Sequence, residues 1–201
     1  LGSLSQRKEK FIILRTIKYG EADLIVHGLS PQGEKVSFIA RGALRSKKRF
    51  GGGILEPTHF VQLTYKEGET GKLHTLNEAT LINDFANLRR SYDHLEIALH
   101  AVECVGQVSQ EGDQNSEFLF NLLGHTLKTL ETAQDPGILK MHFYLKFLFQ
   151  QGVIETEPWM APFLKTNLSE TNKLLDQKDR VFQEISQIEA MVRHYLKNAM
   201  L

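Results

Sequence analysis

The 201 residues carry 24 Lys and Arg against 24 Asp and Glu, with 41% hydrophobic residues and one cysteine, Cys104. This is the balance of an ordinary globular chain with length enough for a sizeable core, which argues against a disordered polypeptide. No stretch reaches the roughly 18 to 20 apolar residues that cross a bilayer, and one cysteine permits neither an internal disulfide nor a multi-cysteine zinc site. No membrane partner and a cytoplasmic setting are therefore expected.

The zero net charge hides an asymmetry. Residues 1–80 hold 13 Lys and Arg against 8 Asp and Glu, a balance of +5, and the remainder holds 11 against 16, a balance of −5. A basic module joined to an acidic one is the pattern this suggests.

Up to about residue 80 the apolar pattern has a period of two. FIILRT (11–16) and ADLIVHGL (22–29) read as strands, the second ending at Ser30-Pro31-Gln32-Gly33, with Pro and Gly where a type I turn takes them. Val36, Phe38 and Ala40 then alternate with Lys35, Ser37, Ile39 and Arg41, as on a half-buried strand. HFVQLTYK (59–66) and KLHTLNEA (72–79) follow, separated by EGETG (67–71), which reads as a hairpin loop. Five short strands suggest a small β-barrel. The OB-fold is the commonest five-stranded example, although an SH3-like barrel reads similarly.

The second half changes period. Leu81, Phe85, Leu88, Tyr92, Leu95, Leu99 and Val102 recur at spacings of 4 and 3, one continuous helix face. Phe118, Leu122, Leu123, Leu127 and Leu130 mark a second helix. Asp135 is a candidate N-cap with Pro136 at the first helical position, and Ile138, Met141, Leu145 and Leu148 carry a third helix to a stop at Gly152. Residues 153–177 read as a loop with at most short helical pieces. Val181, Ile185, Ile188, Val192 and Tyr195 mark a final helix. The expected fold class is α+β, an N-terminal five-stranded OB-fold β-barrel over 1–80 followed by an all-α helical domain over 81–201. The direct join implies that the two pack together.

The search for catalytic chemistry returns nothing that outweighs plain structure. The glycines at 51–53 are not a phosphate loop, because no G-x-x-x-x-G-K-[ST] is present, and no HExxH exists. Cys104 has no obvious base beside it and reads as packing. No enzyme and no cofactor are expected. The run ARGALRSKKRFGGG (40–53) is different, since Arg41, Arg45, Lys47, Lys48 and Arg49 fall within nine positions. Such a run is either a solvated loop or a meeting place for an anion. Its place after a barrel strand, where OB-folds contact nucleic acid, favours the anion. Arg15, Lys18, Lys35, Lys66, Lys72 and His74 could extend the positive surface. Tyr19, Phe38, Phe50, Phe60 and Tyr65 are candidate stacking platforms for bases, with Phe50 and Tyr65 preferred and Phe38 read as core.

The stretch IILRTIKYGEADLIVHGLSPQGEKVSFIARGALRSKKRFGGGILEPTHFVQLTY resembles the N-terminal domain of the RecO family of bacterial DNA repair proteins. The carrying features are YGEAD (19–23), SPQGEKVSFIARGALRSKKRFGG (30–52) and LEP (55–57), followed by LNEATLINDFANLRRSYDHLEIALH. FYLKFLFQQGV (143–153) is similar, more weakly, to a segment of the family's helical domain. The resemblance implies an OB-fold followed by helices and a nucleoid-associated role in RecF-pathway recombinational repair. Binding of single- and double-stranded DNA and strand annealing are part of that role. So is helping RecR to load RecA on DNA coated by single-stranded DNA-binding protein (SSB). It carries the DNA surface onto Arg41, Arg45, Lys47, Lys48 and Arg49. It also implies a site for the acidic, Phe-ended SSB tail on the helical domain, for which Lys140, His142 and Lys146 are the candidates. Many family members carry a four-cysteine zinc module after the helix ending near Gly152. Residues 153–177 contain no cysteine, so a metal-free segment is expected. Two other readings stay open, an OB-fold RNA-binding factor and a protein-only adaptor.

Overall fold

A computed structural model of the protein describes residues 6–69 and 72–199. Two compact units divide the chain, residues 1–85 with 109–120 and residues 86–108 with 121–201.

The first unit is built on β1 (Gln6–Tyr19), β2 (Asp23–Leu29), β3 (Lys35–Ala40), β4 (Phe60–Lys66) and β5 (His74–Asn83). They form a closed barrel in the order β1-β2-β3-β5-β4. Every pair is antiparallel except β3 with β5. β1 closes the ring because its first half pairs with β4 (Gln6–Ile12) and its second with β2 (Ile12–Tyr19). Alternate residues point inward, and Phe11, Ile13, Val26, Phe38, Val61, Leu63, Tyr65 and Leu76 make the core. The turn at 30–33 closes with Gly33 N donating to Ser30 O at 2.9 Å. The loop expected at 67–71 lies partly outside the described residues.

The register of β1 and β2 shifts between Ile13 and Arg15. Ile13 faces Gly28, and two partners later it is Thr16 that faces the buried Val26. An extra residue in one strand moves every later side chain to the opposite face. Arg15, Ile17 and Tyr19 consequently point out of the barrel, although their alternation with Phe11 and Ile13 would have pointed them in.

The helix expected from Leu81 starts later. Leu81 pairs with Val61 as part of β5. The strand ends where Asn83 Oδ1 accepts from Phe85 N, with Phe85 at φ +48. A 3-10 turn (Ala86–Arg90) follows, and the first long helix, α2, spans Tyr92–Val108; a four-residue helix, α1 (Lys47–Phe50), precedes it in the chain. The buried face of α2 is Ile97, Ala98, Ala101, Val102, Cys104 and Val105. Tyr92 and Leu99, expected on the core face, are 79% and 43% exposed.

The second unit continues with α3 (Glu117–Leu130), which starts in the first unit, then α4 (Pro136–Gln150), α5 (Ala161–Lys165) and α6 (Lys178–Ala199). Residues 153–177 hold short helical pieces, 3-10 turns at Pro158–Met160 and Leu168–Gln177 with α5 between them. Asp135 caps α4 by accepting from Gly137 N and Ile138 N, and Pro136 opens the helix. Gly152 ends it at φ +68, with Val153 N bonded to Leu148 O, a Schellman closure. α4 is apolar nearly all round. Ile138, Leu139, Met141, Phe143, Leu145, Phe147 and Leu148 are each at most 1% exposed, so it is the central helix of its unit.

Candidate nucleic-acid interface

The segment from Arg41 to His59, between β3 and β4, carries the five cations and is tied down on three sides. Ala43, Phe50 and Leu55 are 6%, 6% and 5% exposed and belong to the barrel core. Ser46 Oγ caps α1 by accepting from Arg49 N at 3.2 Å. The stretch is also stitched to the β1–β2 turn, by Gly42 N donating to Asp23 Oδ1 (2.8 Å) and Leu44 N to Ala22 O (3.0 Å). Arg45 adds an exposed ion pair to Glu21 at 3.5 Å. The glycines permit the compact return. Gly52 and Gly53 sit at φ +73 and +71, and a Cβ on Gly51 would stand 2.1 Å from Lys47 O.

Buried anchors and exposed charges alternate in this stretch, so all five cations face water. Arg49 is partly committed, since its Nη2 donates to Arg41 O at 2.9 Å and its guanidinium lies 5.0 Å over the Phe50 ring. Lys47, Lys48 and the Arg41 guanidinium have no carboxylate partner among the described residues.

Beside this loop lies the outward face of β1, β2 and β3. The registers set Ile17 opposite Ile25 and Ile25 opposite Ile39, an apolar row across three strands. Arg15 stands opposite His27 and His27 opposite Ser37 on one side of the row; Tyr19 stands opposite Asp23 on the other. Ile17, Tyr19 and Leu44 are 36%, 55% and 48% exposed. Lys35 takes the same outward parity at the start of β3 and Arg41 follows its last residue, whereas Lys18, opposite Leu24, takes the other parity at the barrel end.

Two expected stacking platforms are corrected by this geometry. Phe50 anchors the basic loop, and Arg49 covers its ring. Tyr65 is 4% exposed and packs edge-on to Phe38 and Phe11, with centroids 5.0 and 6.2 Å apart, while its hydroxyl donates to Glu9 Oε2 at 3.0 Å. Burial and the neighbouring Glu9 carboxylate hold that phenol well above its ordinary pKa, so it stays neutral. Neither ring offers a face to a base. The exposed aromatic of this region is Tyr19.

The far end of the face is covered by residues 109–116. Ser37 Oγ donates to Glu111 Oε1 at 2.6 Å, which leaves His27 Nδ1 (2.9 Å) to donate to the Ser37 oxygen. Burial, helped by Lys35 and Arg15, lowers the His27 pKa and keeps the ring neutral. Backbone bonds from Lys35 N to Gln110 O and from Ser116 N to Gln32 O complete the attachment. Of the remaining expected cations, Lys72 is paired with Glu69, and His74 Nδ1 accepts from Gly68 N.

In the helical unit the three expected tail-binding residues separate. Lys140 pairs with Glu189 and lies over the Tyr144 ring. His142 is fully buried, bonded to Thr171 Oγ1 (2.8 Å) and Thr166 O (3.0 Å), and burial lowers its pKa to about 4. It is therefore a neutral core group and cannot rim an anion pocket, because a central helix leaves it no solvent-facing side. Lys146 donates to Leu164 O at 3.1 Å. Only Lys140 reaches the surface groove of about 790 Å³ bounded by Tyr92, Leu95, Leu99, Tyr144, Arg193 and Lys197. No group of three His, Cys, Asp or Glu able to hold a metal occurs among the described residues. No described helix is long and apolar enough to cross a membrane.

A closed barrel with a pinned, cation-bearing loop, continued by a helical unit, defines the class: a two-unit protein whose barrel presents a face suited to a polyanion. Residues 4–85 match the family described as "Recombination protein O N terminal". Curated relatives agree. The DNA repair protein RecO of Maridesulfovibrio salexigens is 34% identical over 72% of this chain and 58% of its own length. Those of Syntrophobacter fumaroxidans and Alkaliphilus metalliredigens are 35% and 33% identical over 71% and 73% of the chain, covering 56% and 58% of their own lengths. Through residues 4–85 the chain belongs to the RecO family; the matched region spans little more than half the length of these relatives.

Proposed function

We propose that the protein is a DNA-binding recombination mediator of the RecF pathway. Its barrel is read as an OB-fold, supported by the 1-2-3-5-4 strand order and the parallel β3–β5 pair. In this reading the barrel unit, residues 1–85 with 109–120, binds DNA and residues 86–108 with 121–201 form the helical domain. The protein binds and anneals strands and, with RecR, helps RecA onto SSB-coated single strands. The observation that carries the reading is the pinned loop, which holds five exposed cations at one end of the barrel, of which, among the described residues, Arg45 alone forms an ion pair. Fixed cations release counterions from a phosphate chain without first having to be ordered. For the SSB tail, Lys140, Arg193 and Lys197 at the groove of the helical unit are the residues of choice, with Leu95 and Leu99 offering the apolar contact.

The test is fluorescence anisotropy of a labelled single-stranded oligonucleotide across a salt series. The wild-type chain is compared with a variant carrying Arg45→Ala, Lys47→Ala, Lys48→Ala and Arg49→Ala. Neutralising four phosphate contacts should flatten the log–log salt slope by about 3, at about 0.7 per contact for single strands. An unchanged slope rejects the loop as the phosphate site. Tighter binding to RNA at equal salt would favour an RNA-binding factor, and negligible affinity at low salt with RecR binding retained would favour an adaptor.

A further inference from the structure

We propose that residues 109–117 form a releasable acidic cover on the barrel. The Glu111 carboxylate fills an anion site made by Ser37, Arg15 and Lys35, and a backbone phosphate must displace it to use that site. The inference deepens the DNA-binding reading above and rests on it.

The site is built into the strands. Arg15, His27 and Ser37 stand in one row across β1, β2 and β3, and Lys35 precedes Ser37 by two residues on the same face. Ser37 is 8% exposed, and its hydroxyl proton is directed at Glu111 Oε1. Lys35, Arg15 and Glu111 all act on the His27 ring, the two cations lowering its pKa and the carboxylate raising it, so the three charges share one small region. A hydroxyl donor set among cations receives a phosphate oxygen as readily as a carboxylate oxygen. Glu111 is thus an anion supplied to that site by the chain itself.

The way the cover is held allows it to open. From Ser109 to Glu117 the chain reads SQEGDQNSE, without one apolar side chain. Polar bonds hold it instead. Besides the bond to Glu111, Lys35 N donates to Gln110 O (3.1 Å), and Glu34 accepts from Gly112 N (2.9 Å) and Gln114 Nε2 (3.0 Å). Such bonds exchange for bonds to water at little net cost, unlike the apolar burial of Ala43, Phe50 and Leu55 that fixes the basic loop. One end is firmer. Gly33 lies so close to the chain that a Cβ there would stand 2.0 Å from Ser116 O, whereas a Cβ on Gly112, at φ +80, would meet nothing within 4 Å. The stretch around Gly112 therefore has room to swing while the Ser116 end stays seated. While closed, the cover sets carboxylates against a face that otherwise attracts phosphates.

The experiment uses the full chain and anisotropy of a labelled oligothymidine at low salt. Glu111→Ala is compared with Glu117→Ala, which removes the same charge from the same segment but leaves the bond to Ser37. Glu111→Ala is expected to tighten binding about fivefold, the net worth of one hydrogen bond, and Glu117→Ala less than twofold. Adding Ser37→Ala to Glu111→Ala should remove most of the gain, because the uncovered site has lost its donor. In the wild type, bound oligonucleotide should speed amide exchange at Gly112 while slowing it in the barrel strands, a readout that needs no substitution. Equal gains from the two Glu variants, no gain from either, or slower exchange at Gly112 in the complex overturn the cover and leave the DNA-binding reading intact. A wild-type chain that binds no DNA at low salt overturns both.

Discussion

Replacing Phe50 by Ala separates two meanings of an aromatic residue inside a basic run. The side chain is 6% exposed, shares the barrel core with Ala43 and Leu55, and has the Arg49 guanidinium 5.0 Å from its ring centroid. Truncating a buried Phe costs about 3 to 5 kcal/mol, and the lower end suits a loop that can partly collapse. Loss of the cation–π contact adds about 0.5 kcal/mol at an exposed site. For a barrel of this size, about 3 kcal/mol lowers Tm by roughly 12 to 24 °C. Scanning calorimetry reads the shift directly, and Phe50→Leu, which refills most of the space, should recover more than half of it.

The same variant has a distinct binding signature. Its cations remain, so the salt slope should persist, but they are no longer held in place, so affinity should fall on single strand and duplex alike. A stacking platform would behave oppositely, with Tm unchanged and a loss confined to single strands. A Tm shift below about 3 °C would refute the anchoring argument, because no buried Phe truncation is that mild.

Three further substitutions probe neighbouring features. Gly51→Ala should be worse than Gly52→Ala: the first drives a Cβ into Lys47 O, while the second meets no atom within 4 Å and only the left-handed backbone opposes it, at about 1 kcal/mol; equal melting temperatures would contradict this. Glu111→Ala should release residues 109–116 from the barrel, seen as faster amide exchange at Lys35 and Ser116, with a stability loss of about 1 kcal/mol. His142 makes stability pH-dependent: its folded pKa of about 4 lies below the ordinary 6.5, so the unfolded chain binds the extra proton. Stability is complete above pH 6.5 and falls toward pH 4 by about 1.4 kcal/mol per unit, roughly 3 in all. Urea melts of His142→Gln should lose that component, and retention of the full dependence would show that another group carries it.

The strands, the turn at 30–33, the cap at Asp135 and the stop at Gly152 were legible because each rests on local chemistry: alternation, a Pro and a Gly at set offsets, a side-chain oxygen before a proline. What failed was non-local. Leu81 fits a helix face by spacing, yet its pairing with Val61 decides its conformation. Tyr92 and Leu99 share that spacing but fall on the open side of α2, since the packed side is chosen by small residues, Ala98, Ala101 and Cys104, which let neighbours approach. His142 reads as a helix-surface polar residue only until α4 is placed at the centre of its unit, where its ring is fully buried. Residues 109–120 attach to the barrel through backbone bonds and Glu111, which leave no periodic trace in the sequence.

The misplacement of the aromatics has a sharper cause. Interleaved cations and rings describe equally well a platform offered to bases and a charged loop pinned by one buried ring. Sequence alone cannot separate the two, because both need the same residue types at the same spacing. Phe50 is the pin: three glycines follow it, and a chain that reverses there must hold on to something before it turns. Tyr19 reaches the surface for a reason equally hidden, one inserted residue in β1 that inverts the parity of everything after Ile13. A bulge has no sequence signature of its own here, and a strict alternation through Phe11, Ile13, Arg15, Ile17 and Tyr19 would bury Arg15 with the rest. An unpaired buried arginine costs far more than two exposed apolar side chains. The bulge thus keeps Arg15 in water, and the same inversion carries Ile17 and Tyr19 out beside the basic loop.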